Sequence, residues 1–140
     1  MADPIQPSNI AMAVAASAMQ AQQARMRVIA ENIANADSTS QTAGGDPYRR
    51  QVPVFAPKQT TGGAQGVAMS HVVADQSPFG SEYAPGHPGA DAKGYVKLPN
   101  VDPLVEALDM QEAQRAYQAN LNVIETAREM DSSTLSILTK

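Results

Sequence analysis

The sequence predicts a mainly α protein whose long N- and C-terminal helices pair as an antiparallel coiled coil. Apolar residues recur at helical spacing near both ends of the chain, and neither of these stretches contains glycine. All nine glycines and most of the ten prolines lie between residues 38 and 100, which excludes long helices there. We therefore divide the chain into an N-terminal helix (1–37), a β-hairpin with an irregular Gly/Pro-rich segment (38–100) and a C-terminal helix (101–140).

The N-terminal helix is predicted from about Ser8 to Asn35, with Ser8 or Asn9 as its cap. Its apolar positions recur at seven-residue intervals, the spacing of a coiled-coil seam, at Met12, Met19, Met26 and Ile33, with Ile29 beside them. The alternative is a core helix of an ordinary bundle. On propensity alone, Asn32 and Asn35 would be turn or C-cap residues.

The central segment predicts one β-hairpin. Residues 48–56 form a candidate strand that Pro53 confines to an edge or to its end, and alternating apolar residues from Val67 to Val73 form its partner. The glycines of 62–66 supply the turn, and residues 95–98 are predicted to be briefly extended. The pair Arg49-Arg50 is interpreted as a basic spot that solvates the strand edge.

The C-terminal helix is predicted to begin at Asp102-Pro103, because Asp can cap free N–H groups and Pro suits the first helical position. Its apolar residues cover an arc of roughly 200°, against the roughly 100° of a one-sided surface helix. Asp131 lies inside this arc, where a carboxylate is costly unless it is paired. It marks either a polar contact to another subunit or a locally exposed carboxylate.

Such wide apolar faces need more neighbours than one copy supplies, so we expect both ends to be largely disordered before assembly. The residues predicted to pack between subunits are Met12, Met19, Met26, Ile29, Ile33, Tyr117, Leu121, Val123, Ile124, Met130, Asp131, Leu135, Ile137 and Leu138.

Composition excludes several functional classes. The net charge of −4 argues against nucleic-acid partners. The apolar run 10–19 is too short to span a membrane, and without a basic stretch before it, it does not resemble a cleavable signal. The chain has no cysteine, and its two histidines, His71 and His87, stand apart from any metal-ligand spacing. No phosphate-loop, dinucleotide or nucleophile motif occurs. We predict no enzyme activity, no metal, no cofactor and no small-molecule substrate.

The acidic residues of the C-terminal helix are interpreted as a solvated face or as salt bridges to partners, because the composition makes a catalytic cleft hard to build. They are Glu106, Asp109, Glu112, Glu125 and Glu129.

Three separated motifs carry a resemblance to a known family. Residues 30–39 (AENIANADST) and 115–121 (RAYQANL) resemble the two terminal signatures of the bacterial flagellar axial proteins. Residues 83–103, which include YAPGHP, GYV and PNVDP, are similar to the C-type branch of the proximal rod proteins. The run 38–42 departs from the short Thr-x-Gly turn of many axial proteins, which affects only the path of that loop.

The resemblance implies a structural subunit of the proximal, periplasmic rod of the basal body. It implies assembly with other copies and other flagellar rod proteins into a helical shaft that transmits motor torque. It also implies export through the flagellar type III apparatus without a cleaved signal peptide. Two other functions remain open from the residues alone: a soluble helical-hairpin adaptor or export chaperone, and an enzyme of unknown class.

Overall fold

The computed structural model describes residues 6–140 and contains two long helices and four strands. Helix α1 spans Pro7–Ala34 and helix α2 spans Pro103–Leu138. Between them lie β1 (Gln51–Gln59), β2 (Gln65–Ala74), β3 (Gly80–Tyr83) and β4 (Tyr95–Leu98). The prediction of a mainly helical chain with a central β-hairpin is confirmed.

The helices begin at residues whose chemistry suits a first turn. In α2 the carboxylate of Asp102 accepts the N–H of Leu104 at 2.9 Å and that of Val105 at 3.5 Å, as predicted. Helix α1 begins at Pro7, one residue before the predicted cap Ser8, because a proline at the first position lacks only an N–H that the helix leaves unpaired anyway. Neither Ser8 nor Asn9 is therefore the residue before the helix.

The predicted hairpin is formed by β1 and β2. The N–H of Thr60 donates to the carbonyl of Ala64 at 2.8 Å near the turn, and the N–H of Asp75 donates to the carbonyl of Arg50 at 2.8 Å at the open end. Even-numbered residues of β1 therefore direct their backbone groups at β2. Pro53 and Pro57 consequently lie on the outer edge, where a missing N–H breaks no pairing.

A second small sheet joins β3 and β4 in antiparallel register, with Gly80 opposite Leu98 and Tyr83 opposite Tyr95. Strand β4 matches the predicted extended stretch 95–98. Strand β3 was not predicted, because its four residues carry no apolar alternation. The rings of Tyr83 and Tyr95 meet edge to face with centroids 5.3 Å apart.

The chain divides into two compact units. Unit 1 joins the part of α1 up to Met26 with Val54–His71 and Glu112–Lys140, and its buried apolar residues are all alanines: Ala15, Ala21, Ala113 and Ala127. Unit 2 joins Arg27–Pro53 with Val72–Gln111 and buries Val28, Ile29 and Val96. Across the described residues, the largest fully buried side chains are polar: Glu106 and Asn32.

Neither helix within residues 6–140 is apolar enough over a sufficient length to cross a lipid bilayer.

Candidate assembly surface

The predicted packing residues of α1 and those of α2 differ in exposure. On α1, Met12, Met19 and Met26 are half-buried, Ile29 is buried within unit 2 and Ile33 is exposed. On α2 the half-buried residues are Tyr117, Leu121, Ile124 and Asp131, and the exposed ones are Val123, Met130, Leu135, Ile137 and Leu138. Among the predicted packing residues, the exposed apolar side chains are thus concentrated toward the end of α2.

The last turns of α2 carry the most exposed large apolar side chains of this set. Ile137 is 74% exposed and Leu138 is 77% exposed, with Leu135 beside them at 63%. Every residue from 132 to 140 is exposed. Single exposed apolar residues are ordinary, but a contiguous apolar patch marks a surface that binds something.

A second exposed apolar group was missed by the sequence reasoning. Leu104, Val105 and Leu108 lie at the start of α2 in unit 2 and are all exposed. The spacing of Leu104 and Leu108, four residues apart, could have indicated this face.

Unit 1 contains a largely apolar groove of about 540 Å³. We call it the α1–α2 groove. Its lining is formed by the first turns of α1 and the second half of α2, and comprises Gln6, Pro7, Ser8, Ala11, Asn122, Val123, Thr126, Ala127, Met130, Asp131 and Thr134. Asp131 is the one ionisable side chain of this lining, and the hydroxyl of Ser8 is buried without a hydrogen-bond partner. The groove is therefore an apolar surface with a single negative charge on its wall.

The tip of the hairpin meets α1 in unit 1 through a hydroxyl. Ser17 Oγ donates to the carbonyl of Val14 at 2.7 Å and accepts the N–H of Val67 at 3.2 Å. A Cβ on Gly66 would lie 2.2 Å from Ser17 Oγ and 2.7 Å from a methyl carbon of Thr60. The absence of a side chain at Gly66 is what allows this close approach.

Unit 2 contains a polar cluster around Asn32, which lies inside α1 and is only 1% exposed. Its amide forms two hydrogen bonds with the outer edge of β1: Nδ2 donates to the carbonyl of Gln51 at 2.8 Å, and Oδ1 accepts the N–H of Gln51 at 2.9 Å. Tyr48 donates its hydroxyl to the same oxygen at 2.8 Å. Burial raises the pKa of Tyr48, and the charges of Glu31 and Glu106 raise it further. The interpretation of Asn32 as a turn or cap residue was wrong, because the strand edge supplies it with buried partners.

Arg50 is the ionic centre of the same cluster. It donates to the fully buried carboxylate of Glu106 and contacts Asp75 at 3.4 Å and Asp109 at 3.5 Å. Burial alone would lower the pKa of Arg50, but the hydrogen bond and charge of Glu106, helped by those of Asp75, raise it above its ordinary value. Glu106 also accepts a hydrogen bond of 3.3 Å from Asn32.

Two sequence interpretations are therefore corrected in this cluster. Arg50 does not merely solvate a strand edge, since three carboxylates surround it. Its neighbour Arg49 donates to the carbonyl of Asp75 at 2.8 Å and stacks over the ring of Phe79 at 4.1 Å. Glu106 belongs to no solvated face, because it is 0% exposed. These partners come from distant parts of the chain, so local spacing carried no signal for them.

The hydrogen-bond partners of the two histidines are hydroxyl and backbone groups. His87 Nδ1 accepts the N–H of Gly89 at 2.9 Å, and its Nε2 lies 3.1 Å from Thr39 Oγ1. His71 is exposed beside Ser70. No group of three or more metal-binding side chains is found among residues 6–140.

Two family models match the chain. The model described as "Flagella basal body rod protein" matches residues 12–40, and "Flagellar basal body rod FlgEFG protein C-terminal" matches residues 92–137. The first range covers most of α1 and includes Asn32, and the second covers β4 and α2 as far as Ile137. The matches thus fall on the two helices and not on the hairpin.

The chain is similar over most of its length to proteins named flagellar basal-body rod protein FlgC. The Agrobacterium fabrum protein is 43% identical over 133 residues, which cover 94% of this chain and 96% of that protein. The Salmonella typhimurium protein is 44% identical over 128 residues, covering 89% and 92%. The Bacillus subtilis protein is 36% identical over 140 residues, covering 89% and 93%.

Proposed function

Because this chain belongs to the family of flagellar basal-body rod proteins, we propose that it is a structural subunit of the proximal rod. It assembles with copies of itself and with other rod proteins into a helical shaft that transmits motor torque. The function is mechanical and requires no catalytic site. The observation that carries the proposal is the exposed apolar surface at the end of α2, at Met130, Leu135, Ile137 and Leu138. That surface needs partners. Burying it between subunits stabilises the assembly by about 25 cal/mol for each Å² of apolar area removed from water.

The two helices form an antiparallel coiled coil in this proposal. Contacts in each unit support it. In unit 1, Arg25 of α1 pairs with Glu112 of α2 at 3.5 Å, and the first turns of α1 line a groove with residues 122–134 of α2. In unit 2, Asn32 of α1 bonds Glu106 of α2. Higher residue numbers on one helix thus meet lower numbers on the other, which is the order of an antiparallel pair.

The location follows from the same role. The chain works in the periplasmic part of the basal body and reaches it through the flagellar export apparatus without a cleaved signal. Long helices of small and flexible side chains suit this route, because the chain can fold at its destination as its apolar faces find neighbours. Alanine is the most frequent residue of α1, and the buried apolar residues described in unit 1 are alanines.

The test is incorporation into basal bodies. A strain whose own rod gene is replaced by this chain should swim, and purified basal bodies should contain the chain in a detergent-resistant, sedimenting fraction. Finding the chain only as a discrete soluble dimer would favour the adaptor or chaperone hypothesis and overturn the rod proposal.

Substitution of the half-buried stripe of α2 gives a second test. Leu121→Asp and Ile124→Asp should each abolish motility, because an unpaired charge in a dry contact costs several kcal/mol. Gln118→Asp, on the exposed face of the same helix, is the matched control and should leave motility intact. A motile strain carrying Ile124→Asp would contradict the packing of this stripe.

A further inference from the structure

Two surfaces of unit 1 that no other part of residues 6–140 covers complement each other. One is the α1–α2 groove, with Val123, Ala127 and Met130 on its apolar wall. The other is the α2 terminus, which we define as residues 135–140, beyond the groove lining, and which exposes Leu135, Ile137 and Leu138. A concave apolar surface and a protruding apolar helix end are the two halves of a helix-in-groove contact.

The two surfaces cannot meet within one chain. One wall of the groove and the terminus both belong to α2, which is a single uninterrupted helix from Pro103 to Leu138. Val123 and Ile137 are fourteen positions apart, which at 1.5 Å per residue separates them by about 21 Å along a rigid rod. The terminus therefore cannot fold back into the groove of its own copy without breaking the helix.

We propose that the α2 terminus of one copy occupies the α1–α2 groove of a second copy of this chain. This inference rests on the proposed function and adds to it which surfaces of two copies meet. The contact joins two different surfaces, so each copy offers one free groove and one free terminus. Repetition of such a head-to-tail contact builds an open helical array instead of a closed dimer.

The charges of the two surfaces fit this occupant. Residues 135–139 carry no ionisable side chain, so the inserted turns bring no charge into an apolar groove. The one ionisable side chain of the groove lining is Asp131, and the one cation of the terminus is Lys140. Lys140 can approach Asp131 of the second copy at the rim of the contact.

The volume of the groove indicates how much water the contact releases. At roughly 30 Å³ per molecule, a volume of about 540 Å³ holds on the order of 15–20 waters. Leucine and isoleucine side chains that enter the groove displace this water from its apolar wall. The release of that water is the favourable free-energy change that drives the contact.

Disulfide cross-linking tests the contact without background, because the natural chain contains no cysteine. The variant that carries both Val123→Cys and Ile137→Cys is expressed in place of the wild-type chain, and basal bodies are isolated and oxidised. The 21 Å helical separation forbids a bond within one copy, so a disulfide between the cysteines introduced at positions 123 and 137 joins two copies. We expect disulfide-linked dimers and higher multimers of this chain.

The matched control combines Glu125→Cys with Ile137→Cys. Glu125 is exposed, sits on α2 two residues from Val123 and does not line the groove, so this control should remain monomeric after oxidation. The single variants Val123→Cys and Ile137→Cys should also give no multimer, because each supplies only one of the two cysteines that a head-to-tail disulfide needs. If Val123→Cys prevents incorporation, Met130→Cys takes its place on the groove wall.

The outcomes separate this inference from the proposed function. Basal bodies that contain the double variant but show no bond between copies, or show bonds only to other proteins, overturn the inference and leave the rod role standing. Multimers of equal yield in the Glu125→Cys control also overturn it. Failure of the wild-type chain to enter basal bodies overturns the proposed function itself.

Discussion

Asn32 lies in α1, and its side chain hydrogen-bonds the outer edge of β1. Its side-chain amide presents a donor and an acceptor to the carbonyl and N–H of Gln51, which is the arrangement that a neighbouring strand would offer. The prolines at 53 and 57 close the same edge farther along β1. No aspartate could replace Asn32, because a carboxylate offers no donor to the carbonyl.

Replacing Asn32 by alanine should lower the free energy of unfolding by about 2–3 kcal/mol, since it leaves the N–H and carbonyl of Gln51 and the hydroxyl of Tyr48 without these partners in a buried site. Urea unfolding followed by circular dichroism measures the change. Asn35→Ala is the control from the same motif, because the Asn35 amide bonds only at the exposed helix end. Its cost should stay within about 1 kcal/mol, and equal losses in the two variants would contradict the role of Asn32.

Glu106 is a buried charge whose cost is offset by Arg50 and Asn32. Glu106→Gln should destabilise the chain by about 2 kcal/mol or more, because Arg50 then keeps only the partly exposed Asp75 and Asp109. Glu112→Gln removes the exposed pair with Arg25 and should cost at most about 1 kcal/mol. Thermal unfolding of the two variants at pH 7 makes the comparison, and a smaller loss for Glu106→Gln would contradict the buried pairing.

Acid should loosen unit 2 through Asp75. Hydrogen bonds from the hydroxyl and N–H of Ser77, helped by Arg50, hold the pKa of Asp75 below its ordinary value of 3.8. A depressed carboxyl pKa adds stability above the unfolded value, and this stability is lost as pH falls below about 3.8 through the folded value. The urea midpoint should therefore drop as the pH falls below about 3.8, and Asp75→Asn should flatten that drop. An unchanged slope in Asp75→Asn would exclude Asp75 as the titrating group.

Among the helices and strands, the sequence predicted those that depend on a local pattern of residues. Heptad spacing and missing glycines located both helices, and Asp102-Pro103 located the start of α2. The hairpin followed from alternation around the glycines of 62–63, whose φ angles of 95° and 81° suit a turn. The strand β3 and the cluster of Asn32, Arg50 and Glu106 were missed, because each depends on partners tens of residues away that no local period records.

The tip of the hairpin comes close to α1 at Gly66, where no side chain stands in the way. Gly66→Ala should displace the hairpin tip and break the hydrogen bond from the N–H of Val67 to Ser17, since the new methyl group would meet Ser17 Oγ and Thr60. Amide exchange at Val67, followed by NMR, should speed up by about tenfold or more, the factor that corresponds to 1.4 kcal/mol. Gly86→Ala, where a Cβ would meet nothing within 4 Å, is the control. Unaltered exchange at Val67 in Gly66→Ala would show that the tip does not need this approach.

The two units differ in the kind of interaction that holds each of them together. Unit 2 holds its elements together by Arg50, Asn32 and Asn100, which bond across the chain. Unit 1 buries alanines, half-buries Leu121 and Ile124, and leaves the larger side chains toward the end of α2 exposed. A helix owes most of its stability to packing, so the end of α2 should be the least stable part of an isolated copy.

The rate of amide hydrogen exchange in the dilute chain should therefore differ from one part of the sequence to another. Residues 132–138 of α2 should exchange at nearly the unfolded rate, since every side chain there is exposed and gains its packing only in the assembled rod. The first turns of α1 should follow, and the amides around Asn32 and Arg50 should be the best protected.

In assembled basal bodies, amide exchange at the end of α2 should slow by orders of magnitude, because neighbours then cover it. Strong protection of residues 132–138 in a verified monomer would mean that one copy stabilises this end alone, and the need for neighbours that underlies the rod assembly would be lost.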